Sequence, residues 1–144
     1  MDALFANDAL SACAVAWVVA QLSKPFIYYV QTRRLKLSFL ATAGGMPSSH
    51  SAVVVALATR VGMDTGLSSI PFALAAIFAV VVMYDAAGVR RAVSVQARIL
   101  NRMLTEMIEA QHFNERQLRE LIGHTPFEVF VGALLGALSA ISLR

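Results

Sequence analysis

Four apolar stretches separated by polar segments organise the chain. The first covers about 9–22 and resumes at 26–30, and the others cover 48–61, 69–87 and 126–143. Three of them approach the ~20 residues that a helix needs to cross a bilayer. The second is shorter, so we expect it to be tilted or to start inside a protein-lined cavity, where non-helical backbone is tolerated. The pattern predicts about four membrane helices.

Residues 89–123 follow a different pattern, in which apolar and charged side chains alternate at helical spacing. Ile99, Met103 and Met107 recur at every fourth position, and Arg98 and Arg102 recur beside them. This periodicity is typical of an amphipathic helix. We expect the segment to lie outside the bilayer or on its surface.

The composition favours a membrane protein. Hydrophobic residues make up 58% of the 144 residues and charged residues only 15%, which excludes a disordered chain and argues against an ordinary soluble domain. The sequence contains no repeat and no linker long enough to divide domains. We therefore expect a single all-α membrane domain over 1–144, built as an integral membrane helical bundle with an amphipathic cytoplasmic segment.

The first apolar stretch has a second interpretation, that of a signal peptide. Asp2 and Asp8 stand where such a peptide carries a basic n-region, and no convincing cleavage site follows. We interpret the stretch as a membrane helix. Cys13 lies alone within it, so the sequence offers neither a disulfide framework nor a cysteine metal site.

The basic residues predict the topology. Ten of the twelve Lys and Arg residues follow the first or third apolar stretch, and only Arg60 and Arg144 lie elsewhere. Because basic segments stay on the cytoplasmic side, we expect the N-terminus outside. The polar motifs at 44–52, 84–88 and 123–128 then meet on the cytoplasmic face. The net charge of +3 is explained by lipid headgroups and topology rather than by nucleic acid.

The segment GGMPSSHSA, residues 44–52, is the first candidate site. Its glycines, Gly45 among them, let the backbone turn and approach a ligand, and Ser48 or Ser49 caps the helix that follows. A helix N-terminus presents N–H donors and a positive dipole end to phosphate or another oxyanion. His50 would then lie beside the anion. The alternative is an ordinary capped helix whose histidine bonds the backbone.

The segment GHTPFE at the last apolar stretch is the second candidate. Thr125 as N-cap, Pro126 at the first helical position and Glu128 at the third form a capping box, which leaves His124 unexplained. With His50 and His124 each at a helix N-terminus, one imidazole could attack phosphorus while the other protonates the leaving oxygen. Glu128 could orient the nucleophile by accepting its second N–H.

Asp85 ends the third apolar stretch, where an unpaired acid is costly. It could line the site, but we favour an ion pair with Arg90, Arg91 or Lys24. His112 lies in the amphipathic segment, and we expect it to be a solvated surface histidine. A metal site shared with Glu106 or Glu109 is a further alternative for Asp85, but the carboxylates form no tight cluster in the sequence, so the prediction is no metal and no cofactor.

These motifs resemble those of a known superfamily. PSSH at 47–50 resembles the P-S-G-H motif of the type 2 phosphatidic acid phosphatases and vanadium haloperoxidases, and His124-x-x-x-Glu128 resembles their closing H-x-x-x-D. GGMPSSHSA, YDAAGVRR and GHTPFEVFVGALLG are similar to blocks of the small divergent branch of that superfamily, four-span membrane proteins of bacteria and plastids. The resemblance covers 21–138, with the blocks in the expected order.

The resemblance implies dephosphorylation of a lipid phosphate or prenyl diphosphate without a required metal. It assigns His124 as the nucleophile, Glu128 as the carboxylate that orients it, and His50 as the general acid. Phosphatidate, phosphatidylglycerophosphate and polyprenyl phosphates are the expected substrate types.

Two departures concern the groups that hold phosphate. The superfamily places a lysine and an arginine seven apart, whereas Arg33 follows Lys24 by nine positions, and Leu118 stands where an arginine is expected before the closing histidine. We therefore expect Arg90 and Arg91 to supply the missing guanidinium. The complete expected phosphate-binding set is Lys24, Arg33, Gly45, Ser48, Ser49, Arg90 and Arg91.

Two functional hypotheses remain. The first is an integral membrane lipid-phosphate phosphatase that uses a phosphohistidine intermediate. The second is a non-catalytic membrane protein that binds or transports a phosphorylated lipid, which the altered phosphate site favours. A phosphatase for soluble substrates is a weaker third. The expected partners are membrane lipids and not nucleic acid, homo-oligomers are compatible with the helix pattern, and the expected location is a bacterial inner membrane or a plastid membrane, with the site on the cytoplasmic face.

Overall fold

The computed structural model describes residues 7–34, 45–111 and 124–143, and their side chains except at 31, 89–91, 94 and 108–111. Within these ranges every regular element is a helix. In chain order they are α1 (Asp8–Thr32), α2 (Ser49–Thr65), α3 (Ile70–Ala87), α4 (Val89–Gln111) and α5 (Pro126–Ser142). The predicted all-α fold is confirmed.

Helix α1 is a single 25-residue helix, although the sequence divides its apolar residues into two runs around Lys24 and Pro25. Asn7 caps its start by accepting the backbone N–H groups of the first turn. The helix continues through Pro25, which removes one backbone donor but is tolerated in membrane helices. It ends at Arg33, whose φ of 56° is left-handed.

Helix α2 occupies the centre of the bundle. Among the described elements it contacts α1, α3 and α5, whereas α4 contacts α3 alone. At 17 residues it is roughly 26 Å long, shorter than the ~30 Å hydrocarbon core of a bilayer. Because neighbouring helices surround it, α2 can be short and can bury polar residues that a lipid-facing helix would exclude.

Small side chains fill the interior, and large apolar ones lie outside. The buried cluster consists of Ala12, Ala16, Ala20, Ala52, Ala56 and Ala140. In contrast, Trp17 on α1 and Leu74 on α3 are 50% and 68% exposed. This arrangement is the reverse of a soluble core and is typical of helices that pack through small residues within lipid.

Two of the described helices are long and apolar enough to cross a membrane, residues Asp8–Val30 of α1 and all of α3. Helix α5 is a shorter apolar helix of 17 residues. The fold is therefore that of a helical membrane bundle. The number of four spans stays a prediction.

The glycines of α5 bring its backbone against that of α2. A Cβ added at Gly132 would overlap the carbonyl oxygen of Ser48, and one at Gly136 would overlap that of Ala52. The two glycines are four residues apart, the small-xxx-small spacing that lets helices approach closely. Through them, the start of α5 is held directly beside the start of α2.

Arg60 ties together the opposite end of the bundle. Its guanidinium bonds the Asp8 carboxylate at 2.5 Å, the Asp64 carboxylate at 3.0 Å and the Leu143 carbonyl at 3.2 Å. These partners belong to the start of α1, the end of α2 and the end of α5. The starts of α2 and α5 therefore share the other end of the bundle, where the sequence motifs lie.

Candidate functional site

The site is built where the N-termini of α2 and α5 meet. Ser48 is the N-cap of α2, and its hydroxyl accepts the Ser51 N–H at 3.4 Å. The backbone N–H of Ser48 donates to the carbonyl of Glu128 at 3.1 Å. The predicted capping by a serine is confirmed. This bond and the contact at Gly132 fix the two helix starts against each other.

The capping box predicted for α5 is also confirmed. The Thr125 hydroxyl accepts the Glu128 N–H at 3.3 Å, and Glu128 Oε2 accepts the Thr125 N–H at 3.1 Å. Pro126 lies in the first turn, where its missing N–H has no cost. The Glu128 carboxylate therefore bends back over the start of its own helix, towards the residue that precedes the cap.

That residue is His124, which is 1% exposed. Its Nδ1 lies 3.1 Å from Glu128 Oε2, and its backbone N–H donates to the Ala86 carbonyl at the end of α3. An ionised carboxylate can only accept, so Nδ1 bears a proton, and in the neutral imidazole Nε2 then carries the lone pair. Among the described residues, His124 Nε2 has no hydrogen-bond partner.

The second histidine is a neighbour of the first. His50 lies in the first turn of α2, and its ring centroid is 5.9 Å from that of His124, with the rings edge to face at 63°. Both imidazoles therefore occupy the positive end of a helix dipole. The structure brings His50, His124 and Glu128 together at one end of the bundle.

Lys24 enters the site from α1. It extends the stripe in which Ala12, Ala16 and Ala20 recur at every fourth position, and it is 2% exposed. Its Nζ donates to Ser49 Oγ at 3.5 Å. A buried ammonium group needs polar or charged partners, and the Glu128 carboxylate lines the same cavity. Lys24 therefore places a positive charge beside the cap of α2.

A cavity of about 260 Å³ opens beside these groups. The residues that line it are Lys24, Ile27, Tyr28, Gly45, Met46, Thr125, Phe127 and Glu128. Gly45 has a φ of 89°, a left-handed conformation that glycine adopts without strain. Neither histidine is among the described residues that line the cavity.

Other predicted phosphate ligands lie elsewhere. Arg33 is exposed and forms the C-cap of α1 through a bond from its N–H to the Tyr29 carbonyl. Arg90 and Arg91 begin α4, but their side chains lie outside the described part of the structure. Their binding of phosphate stays a prediction. Asp85 is half-buried next to Ala86, which places it near the backbone of His124.

Sequence reasoning missed the lining residues Ile27, Tyr28 and Phe127. The first two follow Lys24 by three and four positions, so they lie on the same helix face, and this spacing could have identified them. Phe127 lies between the cap and the carboxylate of the closing motif. Among the described residues, no group of three His, Cys, Asp or Glu side chains is arranged to hold a metal ion.

The fold and this site define a helical membrane protein in which two histidines, a carboxylate and a buried lysine meet at one end of the bundle. The chain belongs to the divergent PAP2 family, whose sequence profile matches residues 5–139. This membership confirms the resemblance drawn from the three sequence blocks.

One relative is similar over nearly its whole length. It is the Bacillus subtilis (strain 168) protein named "Uncharacterized membrane protein YuiD", which is 41% identical over 151 residues, covering 97% of this chain and 96% of that protein. No solved structure matches the chain significantly.

Proposed function

We propose that the protein is an integral membrane phosphatase that hydrolyses a phosphomonoester carried on a lipid, through a phosphohistidine at His124. The observation that supports this most directly is the pairing of His124 Nδ1 with Glu128. This pairing leaves the Nε2 lone pair as a nucleophile, on a ring whose centroid lies 5.9 Å from that of the His50 imidazole. Oriented in this way, a neutral histidine needs no deprotonation before it attacks.

In the first step, Nε2 attacks phosphorus, the P–N bond forms and the bond to the lipid oxygen breaks. His50 gives its proton to the departing oxygen, which leaves as an alcohol. The imidazolium that forms on His124 is stabilised by the Glu128 carboxylate. Lys24, Ser49 and the N–H groups at the start of α2 hold the charge on the phosphoryl oxygens.

In the second step, water attacks the phosphohistidine and the P–N bond breaks. His50, now neutral, takes the proton of the attacking water. Inorganic phosphate leaves, and His124 returns to its starting form with its proton on Nδ1. Each group therefore ends the cycle in the protonation state in which it began.

The alternative is a non-catalytic protein that binds or transports a phosphorylated lipid. The burial of the proposed nucleophile favours this alternative. His124 is 1% exposed, and neither histidine is among the described residues that line the cavity. In this alternative, Lys24 and the helix N-terminus hold the headgroup without reaction.

The experiment is phosphate release by the purified protein in detergent with EDTA present. The panel contains phosphatidate, phosphatidylglycerophosphate, a polyprenyl phosphate and a soluble phosphomonoester. We expect turnover of a lipid phosphate that is lost in His124→Ala and falls about 10²–10⁴-fold in His50→Ala. His112→Ala is the matched control and keeps wild-type activity.

The intermediate provides a second measurement. With substrate labelled at phosphorus, quenching the reaction in alkali should trap label on the wild-type protein and on His112→Ala, and not on His124→Ala. Turnover that survives His124→Ala would exclude this nucleophile. Folded protein that binds lipid phosphate but turns over no member of the panel would favour the non-catalytic alternative.

A further inference from the structure

The residues that line the cavity beside Lys24 are of two kinds. Lys24 and Glu128 carry charged groups and Tyr28 and Thr125 carry polar ones, and together they are called the charged wall. Ile27, Met46 and Phe127 are apolar and are called the apolar wall. A cavity with this division matches a molecule that has a charged head and an apolar chain, because each half meets groups of its own kind.

The apolar wall adjoins the surface that faces lipid. Helices α1 and α5 contact each other directly, and Phe127 at their junction is 64% exposed. Phe26 and Val30 on α1 and Phe130 on α5 are also apolar and exposed. In a membrane bundle such a surface contacts acyl chains. A chain that leaves the cavity past Phe127 therefore stays in an apolar environment.

The charged wall leads towards the reacting groups. Lys24 Nζ bonds Ser49 next to the cap of α2, and Glu128 Oε2 bonds His124. A phosphate held by Lys24 is thus one side chain away from the buried imidazole. Among the described residues, the lining of the cavity runs from Phe127 to the Glu128 carboxylate, and that carboxylate contacts His124.

We propose that this cavity binds the phosphate group of a lipid phosphomonoester and the start of its apolar chain. The phosphate lies at Lys24, and the chain leaves between Ile27 and Phe127 into the bilayer. The inference rests on the proposed function for the identity of the phosphate group. It adds the route of entry and names Ile27 and Phe127 as the residues that select a substrate with an apolar chain. A soluble phosphomonoester leaves both side chains without a contact and binds more weakly.

Fluorescence quenching by brominated lipid tests the site without any turnover. Trp17 is the single tryptophan, so Trp17→Phe with Phe127→Trp places one reporter at the cavity mouth. Trp17→Phe with Leu134→Trp is the matched control, because Leu134 is 50% exposed and lies two turns along the same face of α5. Both proteins also have His124→Ala and are embedded in phosphatidylcholine nanodiscs.

We expect brominated phosphatidate to quench the reporter at 127 several-fold more than brominated phosphatidylcholine at the same mole fraction. The reporter at 134 should be quenched equally by both lipids, because it senses bulk lipid alone. Equal quenching by both lipids at both positions would overturn the proposal. Excess unbrominated phosphatidate or polyprenyl phosphate should restore the fluorescence at 127, and the more effective of the two identifies the chain type.

Two substitutions test the two walls separately. Lys24→Met should abolish the preference for phosphatidate at 127, and Ile27→Ala, which leaves the lysine in place, should weaken it several-fold. A preference that survives both substitutions would overturn the proposal. Because quenching needs no hydrolysis, a positive result stands even if the protein is not a phosphatase. A phosphatase with equal quenching at both reporters would refute the site and leave the proposed function intact.

Discussion

At the scale of single residues, one carboxylate oxygen has two roles. Glu128 Oε2 accepts both the Thr125 N–H and the His124 Nδ1–H, each at 3.1 Å. The first bond caps α5 and the second orients the imidazole. Both follow from local helix geometry, since the third helical position lies above the N-cap and the residue before it. The motif alone therefore predicts the histidine–carboxylate pair.

The proposed function predicts that the two roles of Glu128 can be separated. Glu128→Gln keeps an oxygen that can accept the Thr125 N–H, so the helix cap and the melting temperature should change little. The amide cannot stabilise a positive charge on His124, so we expect kcat to fall about 10²–10⁴-fold with a smaller change in KM. Steady-state kinetics and thermal denaturation measure the two effects.

Glu106→Gln is the matched control for this substitution. Glu106 is exposed and pairs with Arg102 at 3.0 Å on α4, which among the described elements contacts α3 alone. It should keep wild-type kcat and melting temperature. If Glu128→Gln lowers the melting temperature and leaves kcat of the folded protein unchanged, the carboxylate is only a cap and the orienting role is wrong.

At the scale of the elements, the helix starts were predicted better than the helix ends. The caps Ser48 and Thr125 are local signals, and both are confirmed. Helix α2 was expected to end near 61, but it continues to Thr65. The extra turn contains Asp64, whose carboxylate pairs with Arg60 one turn earlier. An ion pair between residues four apart stabilises a helix, so this pair extends α2 beyond the end that the apolar pattern predicts.

The contact between α2 and α5 makes a prediction for Gly132. A methyl group at this position would overlap the carbonyl oxygen of Ser48, and backbone cannot move aside as a side chain can. Gly132→Ala should therefore destabilise the protein by about 1–3 kcal/mol, despite the better helix propensity of alanine. Thermal denaturation in detergent measures the loss.

Leu138→Ala is the control on the same helix, because Leu138 is 67% exposed and removing its side chain creates no overlap. It should have a smaller effect than Gly132→Ala. Gly132→Ala should also displace Ser48, the N-cap of α2. We therefore expect lower phosphatase activity than in wild type at temperatures where the variant is still folded. If Gly132→Ala is as stable and as active as wild type, the close contact between α2 and α5 is needed for neither stability nor activity.

At the scale of the whole molecule, the bundle has two different ends. The histidines, Glu128 and Lys24 lie at one end, and Arg60 with its two carboxylates lies at the other. Charge counting predicts that the first end is cytoplasmic, because the basic segments adjoin it. The alternating direction of α1, α2 and α3 places the turn between α2 and α3 at the Arg60 end.

This topology can be tested by labelling single cysteines in a Cys13→Ser background. Leu67 lies in the turn between α2 and α3 and is 74% exposed, and Met107 lies on α4 and is 69% exposed. In intact bacterial cells, a membrane-impermeant maleimide should label Leu67→Cys and not Met107→Cys. After permeabilisation both should react. Labelling of both positions in intact cells would contradict the predicted four-span topology.

The sequence by itself determined the fold class, the helix caps and the pairing of His124 with Glu128. Each depends on residues within about one helix turn of each other, or on the average polarity of a stretch, so local physics is sufficient. The family membership follows from the same local blocks.

Only the tertiary structure decided which distant residues meet. The burial of Lys24 beside Ser49, the contact of His50 with His124 and the cavity lined by Ile27 and Phe127 each join different helices. The linear pattern does not contain the packing of α1 and α5 around α2, because many arrangements bury the same small residues equally well. Backbone contact at two glycines selects one of these arrangements, and that choice positions the site.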